Sequence, residues 1–230
     1  MSSSNNLIVN KSKPFLGRVI IPGDKSISHR SIILGSLAKG KLIINNFLRS
    51  DDCLQTISAM RSLGAKIKNF NEQIIIEGIG LNNIKNPNKI IDAGNSGTLI
   101  RLLTGILSVQ NFTSTITGDD SLNLRPMRRI ISPLVAHGAM IDSNNFRAPL
   151  KIIGNTKLSP IFYKQDVASA QVKSCLMLAA LFIEGESKFY EDIVTRNHTE
   201  NLLEHLGYDI SKSEHEISFK GCQTLFAKDI

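Results

Sequence analysis

The chain has 230 residues, of which 42% are hydrophobic and 20% are charged, and its formal net charge is +7. These proportions exclude a disordered or fibrous chain. Apolar runs such as residues 176–183 are far too short to span a bilayer. The N-terminal sequence lacks the apolar core of a secretory signal, so we expect a cytoplasmic protein with no membrane partner.

The excess of basic residues favours an anionic partner. Nucleic acid is one option, but the chain has no Trp and only 6% aromatic residues, which leaves few platforms for stacked bases. A small anionic substrate fits at least as well. The three cysteines are scattered without a CxxC pair and the histidines lack metal-ligand spacing, so we expect free cysteines and no cofactor.

In chain order, three helices begin at similar polar turns. The first begins near Ser26 in GDKSISHRSIILGSLA, the second near Ser96 in AGNSGTLIRLLTGIL and the third near Ser169 in DVASAQVKSCLMLAALF. Their starts are 70 and 73 residues apart. This spacing indicates an internal repeat.

A second landmark gives the same period. A further helix in each stretch ends at a glycine, Gly64, Gly138 or Gly207, and these glycines are 74 and 69 residues apart. Glycine after a helix and before a strand is typical of a helix end with positive φ. Closing strands follow at residues 74–79, 150–154 and 216–221.

These patterns predict an α/β (α+β) fold of three βαβαββ repeats, at about 14–80, 88–154 and 159–221. We expect pseudo-threefold symmetry, with the first helices packed inside and the sheets outside. Residues 1–13 and 222–230 lie outside the repeats, and we expect both segments to be disordered or irregularly packed.

The same turns favour anion binding. Helix N-termini expose unpaired N–H groups and a partial positive charge, and a threefold arrangement would bring three of them to one face. Lys25, Arg30, Arg101 and Lys173 lie on these segments, so we interpret them as part of an anion-binding face. RPMRR (125–129) and TRNH (195–198) begin the second helices of repeats two and three, and at least one of the adjacent arginines is interpreted as a surface charge.

Acidic pairs also lie near the second helices. We interpret Asp51–Asp52, Asp119–Asp120 and Glu191–Asp192 as charges that complement helix dipoles, with general acid–base roles as the alternative.

The segments GDKSISHR (23–30), GNSGTLIRLL (94–103), GDDSLNLRPMRR (118–129), ASAQVKS (168–174) and TRNHTENLL (195–203) together resemble the N-terminal half of the EPSP synthase family, the 3-phosphoshikimate 1-carboxyvinyltransferases. The motifs keep the family's order and span nearly the whole chain. ASAQVKS and TRNHTE are similar to one bacterial subgroup. The resemblance implies shikimate 3-phosphate and phosphoenolpyruvate as substrates, in the shikimate pathway of aromatic amino acid biosynthesis.

The resemblance also implies the roles of particular residues. Lys25 would meet both substrates and serve as the catalytic residue. The remaining substrate-binding residues would be Ser26, Arg30, Asn95, Gly97, Arg125, Ser169, Gln171 and Arg196. Among them, Gly97 and Arg125 would bind phosphoenolpyruvate, and Ser26, Arg30, Ser169 and Arg196 would bind shikimate 3-phosphate, while Gln171 would lie near both. Ala170 stands where some members have a second serine, which leaves that hydroxyl contact in doubt.

Family members are about twice this length and have two similar domains. The resemblance therefore implies that residues 1–13 belong to the other lobe, that residues 222–230 begin the crossover to a second domain, and that this C-terminal domain is a missing partner. Half of the cleft would then be absent, so we expect the 230-residue chain to be inactive by itself. We also expect it to be a monomer.

Two other interpretations stay open. One is a lobe of the related UDP-N-acetylglucosamine enolpyruvyl transferase, although GDKSISHR and ASAQVKS fit that relative poorly. The other is a non-catalytic module that uses the +7 charge to bind anions or nucleic acid.

Overall fold

A computed structural model describes residues 7–12, 14, 16–70 and 73–230. The helices in these ranges are α1 (Lys25–Leu37), α2 (Asp51–Ser62), α3 (Gly97–Ser108), α4 (Asp120–Asn123), α5 (Arg128–Ala136), α6 (Ala170–Ala180) and α7 (His198–His205), with a 3₁₀ turn at Leu81–Asn83. The strands are β1 (Lys39–Asn45), β2 (Lys66–Asn69), β3 (Gln73–Ile79), β4 (Ile91–Asp92), β5 (Thr113–Thr117), β6 (Met140–Asn144), β7 (Arg147–Ile153), β8 (Phe162–Lys164), β9 (Glu186–Tyr190), β10 (Ser211–Lys212) and β11 (Glu216–Lys220). None of these helices is long and apolar enough to cross a membrane.

The strands form three sheets with one repeated topology. The orders are β1-β3-β2, β4-β5-β7-β6 and β8-β9-β11-β10. In the second and third sheets the first strand runs parallel to its neighbour, and the remaining pairs are antiparallel. The predicted three-repeat fold is therefore confirmed.

The three predicted helix-ending glycines share one local geometry. Gly64, Gly138 and Gly207 have φ values of +102°, +101° and +80°. In each case the residue after the glycine donates its N–H to a carbonyl five residues earlier, as in Ala65 N to Met60 O at 3.0 Å. The glycine itself donates its N–H to the carbonyl three residues earlier, as in Gly64 N to Arg61 O at 3.0 Å. A helix end with these two hydrogen bonds needs a residue in the left-handed region, a conformation that glycine adopts without steric cost.

The first repeat differs from the prediction at its first strand. Residues 16–24 form no strand, and the free edge of β1 is instead covered by residues 225–230. Phe226 forms a parallel bridge with Lys39, and Ile230 N donates to Ile43 O at 2.9 Å. The C-terminal segment thus occupies the place that β4 and β8 take in the other two sheets.

The expectation of disorder at 222–230 is therefore wrong: residues 225–230 pair with β1, although the segment contains no regular strand. An exposed strand edge offers unpaired N–H and C=O groups, and a segment that pairs with them stabilises both. Leu225 also becomes buried against the core. At the other end, residues 7–12 form neither helix nor strand, and the side chains of Leu7, Ile8 and Val9 are exposed, while the rest of the 1–13 prediction falls partly outside the described residues.

The core lies between the sheets and is built from α1, α3 and α6, as predicted. Nearly every residue of these helices beyond the first turn is buried. Helices α3 and α6 approach closely at Gly105, where an added Cβ would lie 2.1 Å from Cys175 O. Such burial on all sides is consistent with their nearly continuous apolar sequences.

Candidate functional site

The N-termini of the three inner helices are capped by short polar side chains. Asp24 Oδ1 accepts a hydrogen bond from Ile27 N at 2.8 Å, and Ser96 Oγ accepts one from Leu99 N at 3.2 Å. Ser169 Oγ accepts one from Val172 N at 3.4 Å. In each helix one first-turn backbone N–H, which has no partner within the helix, is satisfied in this way. Other first-turn N–H groups remain available to a ligand.

Arginines surround the start of α3. A Cβ placed on Gly97 would lie 3.0 Å from Arg101 Nη1 and 3.2 Å from Arg125 Nη1. The other end of the Arg125 guanidinium donates to Asn95 Oδ1, and Asn95 Nδ2 donates to Asp119 Oδ2 at 2.7 Å. The structure therefore brings Asn95, Gly97 and Arg125 together, as predicted.

Gln171 connects this cluster to α6. Its Oε1 accepts a hydrogen bond from Arg101 Nη1 at 2.9 Å, and its Nε2 donates to Thr98 Oγ1 at 3.0 Å. Because Gln171 meets the first turn of α3 and Cys175 meets Gly105 further along, α3 and α6 run in the same direction. Their positive helix ends consequently lie side by side.

A second cluster forms at the start of α1. Arg196 Nη1 donates to Ser26 Oγ at 3.3 Å, which joins repeats three and one. Lys25, the neighbouring residue, is half-exposed, and its ammonium pairs with the Asp52 carboxylate at the start of α2. A substrate anion at Lys25 therefore competes with Asp52.

Arg30 lies beneath this surface rather than on it. Its side chain is buried, and its guanidinium donates to Thr199 Oγ1 at 2.7 Å, Ser174 Oγ at 2.6 Å and Ser26 O at 3.0 Å. Burial lowers the pKa of Arg30 to about 10, so the group stays charged at neutral pH. Arg30 thus ties together the starts of α1, α6 and α7.

Lys173 does not belong to the anion-binding face, contrary to the prediction. It is 1% exposed, and its Nζ lies 2.6 Å from both Glu191 Oε2 and Glu200 Oε1. The interpretation of Glu191 as a dipole-complementing residue is wrong for the same reason. A buried ammonium is stable only with counter-charges, which these two carboxylates provide.

Arg101 and Arg125, which are half-buried, and Arg196, which is exposed, have the opposite environment. Among the described residues, no carboxylate forms an ion pair with Arg101, Arg125 or Arg196. Burial, followed by the charges of Arg125 and Arg129, lowers the pKa of Arg101. Several guanidinium groups close together without a counter-ion favour a ligand with more than one negative group.

The sequence places Arg101 on the predicted anion-binding face, but the family resemblance does not include it among the substrate-binding residues. Its position four residues after Gly97 places it on the same face of α3, and that spacing is the signal that identifies it. Of the adjacent arginines in RPMRR, Arg128 stacks over the Phe146 ring at 4.6 Å, which agrees with the expected surface role for one of them.

A cavity of about 940 Å³ opens beside the cluster, between α5, β8 and the start of α6. Its lining includes Arg101, Ser169, Gln171, Arg129 and Tyr163. A cavity of this size accommodates a small phosphorylated metabolite.

Comparison with known proteins identifies one family. The family profile for EPSP synthase (3-phosphoshikimate 1-carboxyvinyltransferase) matches residues 9–230. A 3-phosphoshikimate 1-carboxyvinyltransferase from Vesicomyosocius okutanii is 47% identical over 98% of this chain and 52% of its own length. One from Ruthia magnifica is 48% identical over 94% of this chain and 50% of its own length.

Solved structures give the same result. An EPSP synthase from Acinetobacter baumannii superposes with a TM-score of 0.89 and 42% identity, over 93% of this chain and 49% of that one. The chain therefore spans about half the length of the relatives that it matches.

Proposed function

Because the chain belongs to the EPSP synthase family, we propose that it supplies the lobe that binds shikimate 3-phosphate in a 3-phosphoshikimate 1-carboxyvinyltransferase. The observation that carries the proposal is the set of uncompensated arginines at the helix starts: Arg101 and Arg125 at α3, and Arg196 beside Ser26 at α1. Two separate cationic clusters fit two anionic substrates, the second being phosphoenolpyruvate.

The reaction forms a C–O bond between the two substrates. The 5-hydroxyl of shikimate 3-phosphate loses its proton as its oxygen attacks C2 of phosphoenolpyruvate, and C3 gains a proton to become a methyl group. The tetrahedral adduct then loses phosphate from C2 and a proton from C3 to give the enolpyruvyl ether. The positive groups around Gly97 would hold the carboxylate and phosphate of phosphoenolpyruvate and stabilise the charge on the departing phosphate. Lys25, shared between both substrates, would exchange Asp52 for a substrate anion.

Shikimate 3-phosphate would occupy the side of the site formed by Ser26, Ser169, Gln171 and Arg196. These residues come from α1, α6 and the loop before α7, and hydrogen bonds fix three of them: Arg196 to Ser26, and Gln171 to Arg101. Arg30 would act there mainly by holding Ser26, because its guanidinium already donates to three protein oxygens.

One lobe offers binding groups but no enclosed site. Proton transfer to C3 requires an acid held in place, and water must be excluded from the adduct. We therefore expect no turnover by the 230-residue chain alone. Turnover at the rate of an intact family member would contradict this division of roles.

Calorimetric titration of the chain with shikimate 3-phosphate tests the proposal directly. We expect saturable binding that Arg196→Gln weakens by about tenfold, the loss of roughly one charge-assisted hydrogen bond. Arg147→Gln is the matched control, because Arg147 is exposed on β7 in the second sheet. Equal binding of inorganic phosphate and shikimate 3-phosphate would instead support a non-specific anion-binding module.

Two further ligands test the alternatives. Tighter binding of UDP-N-acetylglucosamine than of shikimate 3-phosphate would favour the related enolpyruvyl transferase. Tight binding of duplex DNA with a steep salt dependence would favour the nucleic-acid interpretation.

A further inference from the structure

A buried ionic network lies beneath the side of the site assigned to shikimate 3-phosphate. Its centre is Lys173, whose Nζ lies 2.6 Å from one carboxylate oxygen each of Glu191 and Glu200. Lys173 and Glu200 are each 1% exposed, and Glu191 is 4% exposed. None of the three reaches the surface, so none can touch a substrate.

One branch of the network leads to the start of α6. Glu191 Oε1 accepts a hydrogen bond from Gln165 Nε2 at 2.9 Å, and Gln165 Oε1 accepts one from Ser169 N at 2.7 Å. Gln165 is itself buried. The position of the Ser169 cap therefore depends, through two hydrogen bonds, on where Glu191 is held.

A second branch leads to the loop that carries Arg196. The same Glu191 oxygen accepts from Thr195 N at 3.2 Å and from Thr195 Oγ1 at 2.5 Å. Arg196 follows directly and donates to Ser26 Oγ at 3.3 Å. One carboxylate thus accepts hydrogen bonds from two segments, one that leads to Ser169 and one that leads to Arg196.

Lys173 holds that carboxylate in its orientation. Without the ammonium, Glu191 and Glu200 would be two buried carboxylates with no counter-charge, and they would move apart or draw water into the interior. Either response alters the oxygen that Gln165 and Thr195 share. A surface pair such as Lys212–Glu204, also at 2.6 Å but 35% and 40% exposed, has no such effect because water replaces the lost partner.

We propose that Lys173 is a positioning residue for shikimate 3-phosphate, acting through Glu191 on Ser169 and Arg196. The inference rests on the proposed function for its ligand, but the positioning itself is measurable without any ligand. When buried contacts of this kind no longer hold a binding site in place, binding affinity or reaction rate falls by about tenfold to a hundredfold.

The ligand-free test is amide hydrogen exchange of Lys173→Met followed by NMR. We expect the amides of Ser169 and Thr195 to lose at least about tenfold protection, because their acceptors lie in the two branches. The Leu99 amide, capped by Ser96 at the start of α3, should stay within about twofold of the parent chain. Uniform loss at all three amides would show a merely structural role and overturn the proposal.

The ligand test is the dissociation constant for shikimate 3-phosphate. Lys173→Met should raise it by about tenfold or more, and Lys212→Met should leave it within about twofold. If Lys173→Met does not fold, Thr195→Val and Gln165→Leu decide. Thr195→Val removes the hydroxyl hydrogen bond to Glu191 and leaves the backbone one, Gln165→Leu removes both hydrogen bonds of the other branch, and both variants keep the buried ion pairs. Unchanged exchange and unchanged binding in both milder variants would overturn the proposal.

The two hypotheses fail differently. Absence of shikimate 3-phosphate binding by the parent chain would reject the proposed function, and it would also reject shikimate 3-phosphate as the ligand that Lys173 positions. Local loss of protection at Ser169 and Thr195 would still establish Lys173 as the residue that positions both segments.

Discussion

Acid should destabilise this protein through a histidine in the first inner helix. His29 is fully buried in α1, its Nδ1 lies 2.6 Å from Thr56 Oγ1, and its Nε2 has no hydrogen-bond partner among the described residues. Burial lowers the pKa of His29 from 6.5 to about 4, and the charges of Lys25 and Arg30 act in the same direction while Asp52 opposes them. The folded chain therefore keeps the ring neutral at a pH where the unfolded chain protonates it.

The loss in free energy of unfolding follows from the difference between the pKa of His29 in the folded state and its pKa in the unfolded state. Above pH 6.5 the ring is neutral in both states, so its titration has no effect on stability. As the pH falls from 6.5 to about 4 the unfolded state binds the proton first, and the free energy of unfolding decreases. At roughly pH 4.5 the loss from His29 amounts to about 2 to 3 kcal/mol, with a limit of about 3 to 4 kcal/mol at lower pH.

Urea unfolding followed by circular dichroism at about pH 7.5 and pH 4.5 measures this loss. His29→Leu should remove about 2.5 kcal/mol of the pH-dependent difference seen in the parent chain. Thr56→Val is the matched control, because it removes the neighbouring hydroxyl and leaves the titrating ring. Parallel stability curves for the parent chain and His29→Leu between those two pH values would refute the assignment.

Three further substitutions test the packing. Gly105→Ala should cost about 3 kcal/mol or more in urea unfolding, because its Cβ would lie 2.1 Å from the Cys175 carbonyl and α3 and α6 would have to separate; a cost below about 0.5 kcal/mol would contradict the close approach. In Gly97→Ala the new Cβ would instead meet flexible guanidinium groups, with Arg101 Nη1 at 3.0 Å. The free energy of unfolding should therefore change by less than about 1 kcal/mol, while the arginine side-chain NMR signals shift. Unshifted signals would argue against the arginine cluster around Gly97. Leu225→Ala should cost about 2 to 5 kcal/mol and raise hydrogen exchange along β1, and a neutral effect would show that residues 225–230 do not cover that edge.

Local signals in the sequence were sufficient to predict the repeat. Gly64, Gly138 and Gly207 each end a helix through the same two backbone hydrogen bonds, and these bonds need a left-handed residue at one position. Because the requirement is local, it leaves a mark in the sequence at a fixed period. The caps at Ser96 and Ser169 are local in the same sense.

The first sheet could not be predicted in this way. Residues 16–24 and 225–230 are both short segments with apolar residues, and nothing within either one decides which pairs with β1. The outcome depends on a contact nearly 190 residues apart in sequence, between Lys39 and Phe226. Such long-range pairing depends on the assembled edge rather than on the propensity of the segment.

The basic residues of the candidate site show the same distinction between what a local sequence signal predicts and what the folded environment decides. Lys173 and Arg101 both follow polar turns at helix starts and have equal claims as anion-binding residues in the sequence. In the folded chain Lys173 meets two carboxylates at 2.6 Å, while Arg101 meets an amide oxygen at 2.9 Å and two other arginines nearby. A basic residue in a motif therefore leaves its role undecided until its neighbours are known.

The counter-charge decides what a cation can do. Where the protein itself neutralises the cation, as at Lys173, exchanging that partner for a ligand would leave a buried carboxylate unpaired, and the cost exceeds what a ligand returns. Where a neutral amide is the nearest acceptor, as at Arg101 and Arg125, an anionic ligand would add a strong interaction and displace nothing charged. Lys25 lies between these cases, since its partner Asp52 is partly exposed and water can solvate the released carboxylate. The four cations thus differ in the free-energy cost of exchanging their protein partners for a ligand, which is least at Arg101 and Arg125, intermediate at Lys25 and prohibitive at Lys173.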